Sequence, residues 1–211
     1  HCLVDNLHAY LQQKGDYHPE QEQSFAPAIC NRLDRNTEGL VLAAKDAATL
    51  RELNRLIREN RIQKTYLCVL TATPPKQTDI LHAYHWKDAK TNTVTISNHS
   101  KAGYREIITE YRVLQQQNGL CLAEITLHTG RTHQIRAHMA QIGAPLAGDS
   151  KYGNHRKKES LHLKHQLLCA YQLQFHPEAD SCLAYLNGKT VTAPLPDFVS
   201  RFFPDFSNRA L

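Results

Sequence analysis

The stretch that most restricts the fold is "REIITEYRVLQQQNGLCLAEITLHTG", residues 105–130. Two runs rich in β-branched and aromatic residues flank "QNG". Asn-Gly supplies the left-handed backbone positions of a tight hairpin. A chain built this way makes an antiparallel sheet. "QKTYLCVLTA" (63–72) reads as a further strand, with Tyr66, Cys68 and Leu70 on one side and Leu67 and Val69 on the other. "HAYHWKDAKTNTVTISN" (82–98) reads as a polar hairpin, and "GLVLAAK" (39–45) as a short buried strand between turn signals.

Helical patterns lie between the strands. In residues 1–15, Leu3, Leu7, Tyr10 and Leu11 share a helical spacing that Gly15 would stop. In "DAATLRELNRLIREN" (46–60), Asp46 is an N-cap and Leu50, Leu53 and Ile57 form one apolar face. "RTHQIRAHMAQIG" (131–143) is a helix with Ile135, Met139 and Ile142 inward and Gly143 as its stop. Periodicity leaves "HQLLCAYQLQFHP" (165–177) open between a helix end and a strand. "KTVTAPLPDFVSRFFPDF" (189–206) reads as strand, proline turn and short helix. Helices inserted among mostly antiparallel strands give an α+β class.

A chain of 211 residues with 41% hydrophobic content can bury a substantial core. The formal charge of +5, with 13 histidines besides, suits a polyanionic partner, although many basic proteins bind no nucleic acid. The six cysteines have no metal-knuckle spacing, and Cys30, Cys68 and Cys121 lie in or beside apolar runs. They read as reduced thiols of a cytoplasmic protein. No apolar run is long enough to span a membrane and no secretory leader is visible. The chain opens at His1 without a methionine, which reads as a fragment or a processed form.

Two segments carry candidate chemistry. In "ICNRLDRNTEGLVLAAKD" (29–46), Asp34 lies between Arg32 and Arg35, ahead of a turn and an apolar run. Neighbouring positive charge favours the carboxylate, and an ionised Asp can serve as nucleophile or general base. A structural ion pair capping the turn explains the same residues more simply. In "LHTGRTHQIRAHMAQIGAPLAGDSKYG" (127–153), Gly130 lets a strand turn into a helix start ringed by Arg131, Arg136 and histidines, a setting suited to an anion. Arg131 and Arg136 are five apart and point different ways, one toward Asp34 and the other toward solvent or substrate. His133 and His138 are also five apart, the wrong spacing for two metal ligands on one helical face. Tyr66 reads first as a core ring and second as a surface for a base.

"NRLDRNTEGLVLAAKD", "IQKTYLCVL" and "GRTHQIRAHMAQIGAPLAGDSKYG", in this order, closely resemble the three signature blocks of the RluA-type pseudouridine synthases. "SKAGYREIITEYRVL" resembles the family's strand pair, and "LLCAYQLQFHP" with "VTAPLPDF" its C-terminal ending. Asn31 stands where the family usually has His, which predicts altered local hydrogen bonding rather than lost chemistry. The family's opening strand and any S4-type RNA-binding domain are not found before His1. The expectation is one catalytic domain over residues 1–211, lacking its first strand.

The resemblance implies a mixed, mainly antiparallel central sheet with flanking helices and a catalytic cleft. It implies isomerisation of uridine to pseudouridine in ribosomal or transfer RNA, with no cofactor, metal or obligatory protein partner and no membrane. It assigns the required carboxylate to Asp34, the ring that packs on the flipped base to Tyr66, and the cation paired with Asp34 to Arg136. Arg32 enters the RNA or binds phosphate, and Leu168 forms the other pocket wall. Arg131, Lys64, His133 and the "HRKK" loop (155–158) contact the RNA backbone. Two other readings stand beside it: an RNA-binding protein of the same fold without the chemistry, and a hydrolase, for which a second carboxylate is wanted.

Overall fold

A computed structural model of the chain describes residues 2–21, 25–91, 93–153 and 159–207. The first part holds α1 (Leu3–Lys14), β1 (Ala28–Ile29), β2 (Glu38–Gly39), β3 (Ala43–Ala44) and α2 (Ala47–Arg58). The long strands follow: β4 (Ile62–Leu70), β5 (Thr78–Asp88), β6 (Thr93–Ser97), β7 (Arg105–Gln117) and β8 (Leu120–Leu127). Then come α3 (Gln134–Gln141), β9 (Leu168–Phe175), β10 (Thr190–Thr192) and α4 (Asp197–Phe202).

The Asn-Gly signal makes the turn it predicts. Asn118 and Gly119 have φ of 52° and 72°, and Gln117 faces Leu120 across the β7–β8 hairpin. The sheet runs in the order β10-β9-β4-β8-β7-β5-β6, with β2 docked beside β9. The β4–β8, β8–β7, β7–β5 and β5–β6 pairs are antiparallel, and β2 lies parallel to β9. This is the expected α+β class with a mainly antiparallel sheet.

By packing, the described residues form two units. One holds Leu33 and the residues before it, Val41–Ile62 and Gln174–Thr190. The other holds Asp34–Leu40, Gln63–Leu173 and the residues from Val191 onward. In this second unit β4 is covered on both faces, as its sequence predicts. Cys68 and Leu70 pack with Ile135 and Met139 of α3, with Tyr66 at the margin. Leu67 and Val69 pack with Phe198 and Val199 of α4 and with Phe203. Alternation along the strand puts these two clusters on opposite faces.

In the first unit, Asp46 caps α2 by accepting from the Thr49 N–H at 2.8 Å. The buried stripe of α2 is Leu53 and Leu56, with Leu50 and Ile57 half-buried at its edges. The expected face is thus rotated toward Leu56. The opposite face carries Arg55, bonded to Glu52, Glu59 and Glu178. Gly15, with φ of 74°, ends α1.

Two expectations are corrected or resolved. Residues 39–45 are not one strand. Their ends belong to β2 and β3, which pair with β9 and β1 respectively. The short run has two partners, each satisfying only two residues of backbone. Residues 165–177, left open by periodicity, contain β9. The "HRKK" loop lies outside the described residues. All six cysteines are free. Cys121 and Cys169 are buried, and burial pushes their thiols up to about 11 and about 12, so they pack as small hydrophobes. Among the described residues no helix is long and apolar enough to cross a membrane.

Candidate active site

Asp34 opens a turn whose geometry follows from the "DRNTEG" residues. The Thr37 N–H donates to the Asp34 carbonyl at 2.9 Å, and Asn36 takes the left-handed conformation with φ of 66°. Asn and Thr suit such corners because their side chains satisfy local backbone. Gln166 secures the turn from outside, its amide N–H donating to the Arg35 carbonyl at 2.7 Å. Gly39 then lies against Ala170 with φ of 109°, and a Cβ there would overlap the Ala170 backbone. The Leu40 N–H donates to the Ala170 carbonyl at 2.9 Å. The loop that carries Asp34 is therefore anchored on β9 at its far end.

The first turn of α3 brings the cation. Nη1 of Arg136 is 3.6 Å from Asp34 Oδ2. The rest of its guanidinium forks onto Asp149, with Nε donating to Oδ2 at 2.7 Å and Nη2 to Oδ1 at 2.9 Å. Asp149 is fully buried and also accepts from the backbone N–H groups of Lys151 and Tyr152 at 2.8 and 3.1 Å. Burial pushes its carboxyl up, but the guanidinium and these N–H groups outweigh burial and hold it below the usual range. The Tyr152 ring lies under the Arg136 guanidinium, 5.4 Å from its centroid. Arg136 thus pairs with Asp34, as expected, but its tighter partner is Asp149, which the sequence did not single out.

The junction between β8 and α3 is braced by Gln134. Its carbonyl accepts from Thr129 Oγ1 and the Arg131 N–H, both at 3.0 Å. Its amide donates to the Ile108 carbonyl at 3.1 Å and Thr109 Oγ1 at 3.0 Å. His133 precedes the helix in the left-handed conformation, φ 51°, and its Nδ1 is 2.9 Å from the Tyr152 hydroxyl. Burial lowers the His133 pKa, against the pull of the Asp34 and Asp149 carboxylates. The ring is buried.

Tyr66 is half-buried on β4, and burial together with the Asp34 charge pushes its phenol up to about 12. Leu168 is buried in the same cluster that Tyr66 borders. Lys64, two residues along β4, has its ammonium pKa lowered by burial and lies close to Gly130. Arg131 is exposed and lines a cleft with His85 and Trp86. Arg32 is exposed in the other unit. Asn31 Oδ1 accepts from the Leu42 N–H at 2.7 Å, a structural bond inside that unit. Asp34, Tyr66, Arg136, His133, Lys64, Leu168 and Arg131 all belong to the second unit. Among the described residues no group of three or more His, Cys, Asp or Glu side chains is arranged to hold a metal ion.

This geometry can be set beside known proteins. Residues 3–141 match the family described as RNA pseudouridylate synthase. The chain is 34% identical over 171 residues to an RNA pseudouridine synthase of uncharacterised function from Chloroflexus aurantiacus, covering 81% of this chain and 50% of the relative. It is 32% identical over 190 residues to the ribosomal large subunit pseudouridine synthase D of Nitrosomonas europaea, covering 85% of this chain and 51% of the relative. The chain spans about half the length of these curated relatives. Its fold is similar to human RNA Pseudouridylate Synthase Domain Containing 4, with a TM-score of 0.71 at 20% identity over 94% of this chain and 80% of that one. An acid at a turn after "RL", a tyrosine on the central strand and an arginine on α3 meet in one unit of a chain matched over two thirds of its length. That chain belongs to the RNA pseudouridylate synthase family, in the RluA-type branch its signature blocks resemble.

Proposed function

We propose that the chain isomerises uridine to pseudouridine in RNA, with Asp34 as the group that carries the chemistry. The reading rests on one observation above the rest: a carboxylate that keeps 19% of its side-chain surface exposed lies beside a guanidinium that a second, buried acid holds in place. In the reaction the bond from uracil N1 to ribose C1′ breaks. The base turns while bound, and C5 joins C1′. The C5 proton is lost and N1 gains one, so atoms and electrons balance without an oxidant or reductant. Asp34 acts as nucleophile or as the base that removes a sugar proton. A deuterium effect at C2′ distinguishes the two roles.

Each other group has a physical task. A uridine stacked in RNA is out of reach, so it is flipped out at a cost of roughly a few kcal/mol. The Tyr66 ring packs on the flipped base and Leu168 walls the opposite side. Arg136 keeps Asp34 oriented. Lys64 and Arg131 contact the RNA backbone, and exposed Arg32 binds RNA phosphate. The name of the Nitrosomonas europaea relative points to ribosomal large subunit RNA as the first substrate to try, with transfer RNA as the second.

RNA tritiated at uracil C5 tests the reading. Isomerisation releases tritium while the base stays attached, and Asp34→Asn binds the RNA but releases none. Free uracil would show a hydrolase instead. Binding without either product would show an RNA-binding protein that lacks the chemistry.

A further inference from the structure

Beside the β8–α3 junction lies a cleft of about 420 Å³ lined by His85, Trp86, Lys87, Arg105, Gly130 and Arg131, among others, and not by Asp34. Pockets that hold small ligands run from roughly 300 to 1,000 Å³. Trp86 is 39% exposed although it is a large apolar ring. It is stacked on Tyr104, with ring centroids 6.3 Å apart and 21° between planes, and Lys101 Nζ lies 5.8 Å from the Tyr104 centroid. Lys87, Arg105 and Arg131 are exposed, and among the described residues none of them pairs with a carboxylate. Among the described residues no acid lines the cleft. Its floor is firm, because buried His85 bonds the Thr132 carbonyl through Nε2 at 2.9 Å.

Isolated exposed cations are ordinary solvated charges. Three converging on one cleft with an indole at its edge are a different arrangement. They match a ligand that is both planar and anionic, and a nucleotide of unpaired RNA is both. Its base finds a π surface and its phosphate finds guanidinium forks. A paired nucleotide would keep its faces inside its own stack and offer only phosphate. Position favours the same ligand. Gly130, Arg131 and Thr132 run directly into His133 and the helix that carries Arg136.

We propose that this cleft binds one unpaired nucleotide of the substrate strand, its base on Trp86 and its phosphate on Arg105, Arg131 and Lys87. The proposal rests on the reading of the chain as an RNA enzyme and adds where the strand runs outside the reacting uridine.

Trp86 is the only tryptophan of the chain, so its emission reports on this cleft directly. The full chain is titrated with a ten-residue oligouridylate, with an RNA duplex of equal length, and with heparin, a polyanion without bases. The oligouridylate quenches Trp86 saturably, at the midpoint given by anisotropy of the labelled RNA. Heparin and duplex bind with little quenching. Trp86→Ala weakens oligouridylate binding roughly fivefold or more, and Trp86→Phe keeps most of it. Arg105→Gln lowers the salt slope by about 0.7. RNA that binds without quenching, equal quenching by heparin or duplex, or unchanged affinity in Trp86→Ala overturns the proposal. Tritium release separates this outcome from failure of the parent reading. Quenching without release sinks the isomerase, and release without quenching sinks the cleft.

Discussion

Arg136 is forked onto Asp149 and only leans on Asp34, at 2.7 and 2.9 Å against 3.6 Å. The buried acid fixes the guanidinium plane, and the partly buried Asp34 meets its remaining edge. Asp149→Asn keeps the shape and removes the charge. Breaking a buried pair costs about 3–5 kcal/mol, and a misplaced group near the chemistry about a hundredfold in rate. We expect a lowered urea midpoint and tritium release slowed by that order. Unchanged values for both would show that Asp149 does not aim Arg136.

Gly39 and Gly119 make a matched pair. Both have positive φ, at 109° and 72°, but an added Cβ meets the Ala170 backbone at the first and open space at the second. A non-glycine residue in such a conformation costs on the order of 1–3 kcal/mol. Gly119→Ala should show that cost alone, with tritium release kept. Gly39→Ala should cost more and also slow release, because the strain falls on the segment that holds Asp34. Equal midpoints in denaturant would contradict the close approach.

With its phenol pushed up to about 12, Tyr66 stays neutral through the physiological range. The rate is therefore expected not to rise between pH 8 and 10 through loss of this proton. Tyr66→Phe keeps the ring and should bind RNA within about twofold of the parent chain. Its rate then measures what the hydroxyl adds. A phenolate-like rise near pH 9 that vanishes in Tyr66→Phe would show that Tyr66 ionises within that range.

His138 is buried against Thr109 Oγ1 at 3.0 Å, and burial, helped by His82, lowers its pKa to about 4. An unfolded histidine titrates near 6.5. The unfolded chain therefore takes up the proton first as pH falls. Stability is full above about 6.5 and is lost between there and about 4, by on the order of 3 kcal/mol. Urea midpoints from pH 7.5 to 4.5 should fall less in His138→Gln than in the parent. Parallel curves would remove His138 from the acid response.

Reading the sequence worked where the physics is local. Asn118-Gly119 dictates its turn through φ alone, and alternation along Tyr66–Leu70 assigns the two faces of β4. Spacing alone leaves Arg131 and Arg136 both open as the neighbour of Asp34, and the family resemblance singles out Arg136, which lies 3.6 Å from it. It failed where partners are remote. Nothing in "GLVLAAK" says that its two ends would bond β9 and β1, since a short, mostly apolar run fits either outcome. Asp149 sits among small residues and reads as a loop acid. Only the fork from Arg136, 13 positions earlier, gives it meaning, although its place inside the quoted "AGDSKYG" block was a usable hint. Gln134 was invisible because four bonds to one amide require knowing where β7 passes.

The docking of Gly39 on Ala170 also has a consequence in time. The two residues are 131 positions apart, so the loop bearing Asp34 lacks its platform until the strand at 168–175 exists. At roughly 5–20 residues per second of synthesis, that is a delay on the order of ten seconds. A chain still emerging from the ribosome therefore carries Asp34 on an undocked loop until Ala170 has been added and can fold beneath it.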